Sequence, residues 1–104
     1  MNLDIIEESH LLAIKYDHNS LYIELTILAV DGAKYKFFAH NKNTSPIQVQ
    51  FIGLSITAGF TTYEGRASLG EIESVNIISN TYTIEGDMGV MVIVADCIIV
   101  EPTF

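Results

Sequence analysis

The sequence predicts an all-β protein: a single-domain antiparallel β-sandwich or partly open barrel of about seven or eight strands. Three observations predict it. Short runs of β-branched and aromatic residues recur along the chain, most of them alternating apolar with polar. Turn-forming residues separate these runs at short intervals. No stretch carries apolar residues at helical spacing for long enough to make a useful helix.

Residues 1–8 mix Leu3, Ile5 and Ile6 with Asp4, Glu7 and Glu8, and read as a loosely attached edge or tail. The first strand is expected over Leu11–Tyr16, followed by the turn cluster Asp17-His18-Asn19-Ser20. Leu21 to Ala29 is the second, with apolar residues at its odd positions. Asp31-Gly32 predicts a turn of the I′ kind. The third strand, Lys34–His40, alternates Lys34 and Lys36 with Tyr35 and Phe37, and Phe38 breaks that phase as a bulge would.

Asn41 to Pro46 is the clearest loop; Pro46 can open a strand but not sit in its middle. Ile47 to about Thr57 reads as the fourth strand, with a phase change at Gly53. Phe60–Tyr63 suits a short strand, and Glu64 to Ser68 a loop. Gly70–Ser79 fits a strand better than a helix through Val75-Asn76-Ile77-Ile78. Ser79-Asn80 turns, Thr81–Glu85 is the penultimate strand, and Gly86 to Gly89 closes a hairpin. Gly89 to Val100 is the most apolar run and reads as one strand covered on both faces, with Asp96 marking a bulge or bend.

The chain has 104 residues, which is one domain, and folding hides roughly 60–68% of the unfolded surface at this size. One modest core follows, with little left to line a deep pocket. Hydrophobic residues make up 49% and charged residues 17%, which excludes disorder and leaves a surface poor in charge. Apolar runs on both strand faces without a helix to cover them lead us to expect a homo-oligomer.

Net charge is −8 and unevenly spread. Residues 1–33 carry six acids and one lysine, residues 34–66 four bases and one acid, and residues 67–104 six acids and no base. Such a field repels phosphate backbones and favours a basic protein partner. One cysteine, Cys97, excludes an intramolecular disulfide and reads as a buried structural thiol. The start Met-Asn-Leu-Asp lacks a secretory n-region, and Asp96 interrupts the only long apolar run. A cytoplasmic location without membrane attachment is expected.

The order of signals runs Ser9-His10, Asn19-x-Leu21-x-Ile23-x-Leu25, Phe51-Ile52-Gly53-Leu54, Gly70-Glu71-Ile72-Glu73-Ser74, a hairpin at 82–93, and Ala95-Asp96-Cys97-Ile98-Ile99-Val100. Over about residues 9–101 it resembles a broad set of small, poorly characterised bacterial β-sheet proteins. Some of these are encoded beside polymorphic toxins as candidate immunity proteins. The resemblance implies a β fold and no catalytic signature. The chain departs from many immunity proteins in having no tryptophan and few charges.

Residue types that carry chemistry are present but not arranged for it. His10, His18 and His40 have no short ligand spacing between them, and none lies near Cys97 in sequence, so no metal is expected. Asp87-Met88-Gly89 offers too few oxygens for calcium. Glu71 with Glu73, and Glu85 with Asp87, are carboxylate pairs, but solvated hairpin acids have the same spacing. Ser20, Ser45, Ser55, Ser68 and Ser79 lack a nucleophile-elbow context. No phosphate-binding glycine motif occurs. Lys34, Lys36 and Lys42 with Tyr35 and Phe37 resemble a base-stacking platform, but three lysines in an acidic chain are too thin a footprint for nucleic acid.

We therefore expect no catalytic, cofactor-binding or metal-binding residues and no cofactor. The expected role is a non-enzymatic protein-binding domain such as an immunity or regulatory protein. The alternatives are a small-ligand module or enzyme with a site assembled only by the fold, and a self-assembling structural β protein.

Overall fold

Alternation along Tyr22–Leu28 puts Ile23, Leu25 and Ile27 on one side, and all three are fully buried. Each such side chain contributes roughly 1.5–3 kcal/mol on burial, so the parity of a strand decides which face turns inward. The computed structural model describes residues 6–53, 59–62 (backbone only) and 68–103. Its strands are β1 (His10–Tyr16), β2 (Tyr22–Leu28), β3 (Lys34–His40), β4 (Gln48–Ile52), β5 (Gly59–Thr62), β6 (Gly70–Ile78), β7 (Thr81–Gly86), β8 (Gly89–Val94) and β9 (Cys97–Pro102). No helix among the described residues is long and apolar enough to cross a membrane.

The strands pair antiparallel in the order β4-β8-β7-β6-β1-β2-β3-β9, with β5 attached to β1. The sheet is open, with β4 and β9 at its ends, and it folds over on itself. One layer holds β1, β2, β3, β5 and β9, the other β4, β6, β7 and β8. Among the described strands the ladder that joins them is at the start of β6, where Gly70 and Glu71 pair with Leu11 and His10. The inner faces share one core, in which Ile14, Ile23, Leu25, Phe37 and Ile98 meet Ile84, Met91 and Ile93. Edge-on aromatic contacts bridge the layers, Phe37 to Tyr82 at 6.3 Å and Tyr16 to Phe51 at 6.0 Å between ring centroids.

Several strands differ from expectation for identifiable reasons. Leu11, Leu12, Ala13 and Ile14 are buried in succession, which alternation forbids. A bulge between Leu11 and Ala13 resets the phase, and β5 and β6 share the strand's far side. Phe38 makes no bulge: the β2–β3 register is unbroken, and Phe38 lies on the outer face with the lysines. The Asp31-Gly32 turn is not a two-residue I′ turn. Ala29 and Ala33 pair across a three-residue loop, and Gly32 takes the left-handed position at φ 87°.

β4 ends at Ile52, and residues 54–57 of the expected strand lie outside the described residues, as do 64–67 of the expected Glu64–Ser68 loop. Gly70–Ile78 is a strand, as read. Ile6 is fully buried, and the Glu8 amide bonds the Ile72 carbonyl at 2.7 Å, so the chain is attached from residue 6 onward.

The apolar run Gly89–Val100 is two strands, not one. β8 belongs to one layer and β9 to the other, and Ala95-Asp96 carries the chain between them. Nor is it covered on both faces. Met91, Ile93 and Ile98 are buried, Val92 and Val94 are half-buried on the outside, and Ile99 is 38% exposed.

The β7–β8 hairpin demands two glycines. A methyl at Gly86 would strike the Glu71 carbonyl, and one at Gly89, where φ is 109°, would strike the Ile52 carbonyl. Gly86→Ala and Gly89→Ala should each lower stability by about 2–3 kcal/mol. Gly32→Ala has the same backbone problem but open space around it, and should cost only about 1 kcal/mol. Urea unfolding midpoints compare the three. Equal losses at Gly89 and Gly32 would rule out the close approach of β4 to β8 at this point.

Candidate functional site

Two surface regions concentrate chemically distinctive side chains. The first is the outer face of β2, β3 and β9. The registers Glu24↔Phe38↔Ile99, Thr26↔Lys36↔Glu101 and Tyr22↔His40↔Cys97 lay three rows across these strands. Tyr22 stacks on Phe38 with ring centroids 5.3 Å apart and planes 27° from parallel, and the His40 ring, from the same row as Tyr22, lies 5.3 Å from Phe38. Such an aromatic pair adds about 0.5–1.5 kcal/mol beyond its buried area. Lys36 Nζ sits 3.3 Å from Glu24 Oε1, a solvent-screened pair whose contribution is about 0–1 kcal/mol. Glu24, Lys36, Phe38, Ile99 and Glu101 line a shallow depression of about 220 Å³. It offers an apolar floor and charges of both signs but little enclosure, below the roughly 300–1,000 Å³ usual for small-molecule sites.

The second region is acidic. Glu7, Glu8, Glu71, Glu73, Glu85 and Asp87 are all exposed. The fold gathers them where β6 begins and the β7–β8 turn folds over it. The Glu8 amide bonds Ile72, and the Asp87 amide bonds the Glu71 carbonyl at 3.0 Å. The Glu71 amide donates to Asp87 Oδ2 at 3.2 Å, and Glu85 pairs with Ser74 across the ladder. Glu73 is the extra residue of a bulge between Ile72 and Ser74. Among the described residues, Lys15, Lys34, Lys36 and Lys42 are the basic side chains, and none lies on β6, β7 or β8. The ion pair seen among the described residues, Lys36–Glu24, is on the other layer.

The structure separates most of the other candidates. His18 is an exposed turn residue, and His10 is exposed with Nδ1 3.4 Å from Ser68 Oγ. His40 is half-buried, its Nδ1 3.2 Å from the Asn41 carbonyl. No group of three metal-ligating side chains forms among the described residues. Cys97 is partly exposed in the His40 row, so it is not the buried core thiol expected. Ser20 Oγ is 3.0 Å from the Tyr16 hydroxyl and Ser45 Oγ bonds Asn43, so both serve turns; Ser79 is exposed in the β6–β7 turn and Ser55 lies outside the described residues. The lysine platform fails in its aromatic half. Phe37 is in the core, Tyr35 shares its parity, and Phe38 stands beside Lys36 instead.

Sequence reasoning missed Tyr22, Phe38, Ile99 and Glu101 as one patch, because cross-strand register alone unites them. Asp96, read as a bulge or bend, lies at the bend between β8 and β9, where its side chain also holds a loop. Asp96 Oδ1 accepts the Lys42 amide at 2.7 Å, and the Asp96 amide donates to Asn41 Oδ1 at 3.0 Å. Asn41 Nδ2 also donates to the Pro46 carbonyl at 3.0 Å and to Ser45 Oγ at 3.2 Å. This network ties the Asn41–Pro46 loop to the β8–β9 crossing.

Comparison with protein-family models, with curated proteins and with solved structures found no match.

Asp96→Ala should free the Asn41–Pro46 loop, lower stability by about 1 kcal/mol and speed exchange of the Lys42 amide hydrogen. Asp96→Asn keeps an acceptor at Oδ1 and should retain most of the protection. Amide exchange followed by NMR separates them; unchanged Lys42 exchange in Asp96→Ala would mean that the carboxylate does not hold the loop.

Proposed function

We propose that the protein is a non-enzymatic protein-binding domain, of the immunity or regulatory kind, whose partner presents a basic surface to its acidic end. The observation that carries this reading is the gathering of Glu7, Glu8, Glu71, Glu73, Glu85 and Asp87 at one end, with no basic side chain on β6, β7 or β8. Like charges held together repel one another, and a fold that needed them only for solubility would gain by spreading them. A partner of opposite charge removes the repulsion and is steered toward this end at long range. Since charge is concentrated at this end, orientation as well as rate is set before contact. The mixed-sign aromatic face on β2, β3 and β9 lies in the other layer and is left free by such docking.

Capture on the immobilised protein from lysate of its native host, at low and at high salt, tests the reading. A basic protein should be retained by the wild type and lost with Glu71→Lys/Glu73→Lys/Glu85→Lys, whose substitutions are all at exposed positions. The association rate of that partner should fall roughly tenfold or more from low to physiological salt. Retention of no protein partner, or an association rate flat with salt, would overturn the proposal.

A further inference from the structure

The sheet ends at β9, and the hydrogen bonds of that strand define which of its groups are spent. The Thr103 amide bonds the Lys34 carbonyl at 2.8 Å, which fixes the alternation of the β3–β9 ladder. Cys97, Ile99 and Glu101 turn their backbone groups toward β3, while Ile98 and Val100 turn theirs toward the open edge. Pro102, next in that series, has no N–H to offer. Among the described residues no strand pairs with β9 on this side. The edge thus presents the donors of Ile98 and Val100 and the carbonyls of Ile98, Val100 and Pro102.

We propose that a second copy of this chain occupies that edge, with β9 pairing antiparallel to β9 about a two-fold axis at Ile99. In this register Ile98 of each copy faces Val100 of the other, and all four free edge amides of the pair are bonded at once. A register centred on Val100 would set Ile98 against Pro102 and lose donors. One centred on Ile98 would set Val100 against Asp96, beyond the end of the strand.

Side chains agree with the same register. On the outer face Ile99, 38% exposed, meets its twin, extending the apolar row Phe38–Ile99 across the axis into the second copy. On the inner face Val100, only half-buried against the core, comes opposite the other copy's Ile98. Glu101 of one copy falls in the Cys97–His40–Tyr22 row of the other, where no carboxylate opposes it. Charge also selects this side. Two chains of net charge −8 repel, and Lys34, Lys36 and Lys42 lie on or beside β3, next to β9 and in the layer opposite the acidic end. The resulting sheet would run continuously through both copies, and the acidic ends would remain free for the basic partner proposed above.

Light scattering on the full chain, with engineered cross-linking, tests the proposal. The wild type should show twice the 11.5 kDa chain mass at micromolar concentration. Ile99→Lys, an outward-facing change checked for folding by circular dichroism, should raise the dissociation constant roughly tenfold or more. Facing Ile99 residues form a non-hydrogen-bonded pair with Cα atoms about 4.5 Å apart, within disulfide reach. Cys97→Ser/Ile99→Cys should therefore oxidise to a covalent dimer. Wild-type Cys97 should not, because two copies of it would be about 13 Å apart along the strands. Cys97→Ser/Val30→Cys, at a fully solvated turn, should not either. A mass of one chain across a wide dilution range overturns the proposal. A dimer that neither responds to Ile99→Lys nor cross-links through Ile99→Cys overturns it equally, by placing the contact elsewhere.

Discussion

The structure depends on one bend. Gly89 to Val100 is too apolar to be exposed and too long to lie in a single layer of so small a molecule. The chain resolves this at Ala95-Asp96. Ala95 is buried, with its amide bonded to the Asn80 carbonyl at 3.1 Å, and so closes β8 against the layer it is leaving. Asp96 is exposed and bonds the loop that crosses in the opposite direction, from β3 to β4. The bend also flips parity. Inward positions are odd before it, at Met91, Ile93 and Ala95, and even after it, at Ile98 and Val100. A straight strand would have kept one parity and buried Ile99 instead.

That bend fixes the order of the sheet. With β8 between β7 and β4 and β9 beside β3, the two halves of one apolar run lie near opposite ends of the same sheet. The ends do not join into a barrel. The Ile47 amide reaches the Ser20 carbonyl at 2.7 Å, which anchors the entry to β4 on the β1–β2 turn; among the described strands β4 then pairs with β8 alone, as β9 pairs with β3 alone.

Much of the fold was legible because parity is local. Ile23, Leu25 and Ile27 announce an inward face without any knowledge of neighbours, and turn residues mark most strand ends within a residue or two. What was not legible depends on partners. Phe37 and Phe38 are adjacent aromatics, and nothing in the sequence says which enters the core. The pairing of Phe37 with Leu25 on one side and Val100 on the other decides it. Leu11 and Ile14, of opposite parity, both enter the core through a bulge that no glycine or proline signals. The acidic residues could be counted in the sequence, but their convergence rests on two hydrogen bonds between Glu71 and Asp87, sixteen positions apart, one backbone to backbone and one from the Glu71 amide to the Asp87 carboxylate. The aromatic face was hidden for the same reason: Tyr22, Phe38 and Ile99 come from three strands.

With no helix packed on it among the described residues, the sheet must manage its outer faces by other means, and the two layers do so differently. On the β4–β8 side, Val92 and Val94 stand between Gln48 and Gln50 on β4 and Thr81 and Thr83 on β7. Neutral hydrogen-bonding side chains flank each valine, leaving it half-buried. The β2–β3–β9 face has no such flanking at its rim, where Ile99 lies on the last strand and only one neighbour can shield it. The β4–β8 layer also leaves Ile52, Ile77 and Ile78 exposed, beside the carboxylates of Glu71, Glu73, Glu85 and Asp87. Catalysis would require convergent polar groups in an enclosed, water-poor site. Association requires only outward-facing side chains of complementary chemistry, and both layers of this chain present them.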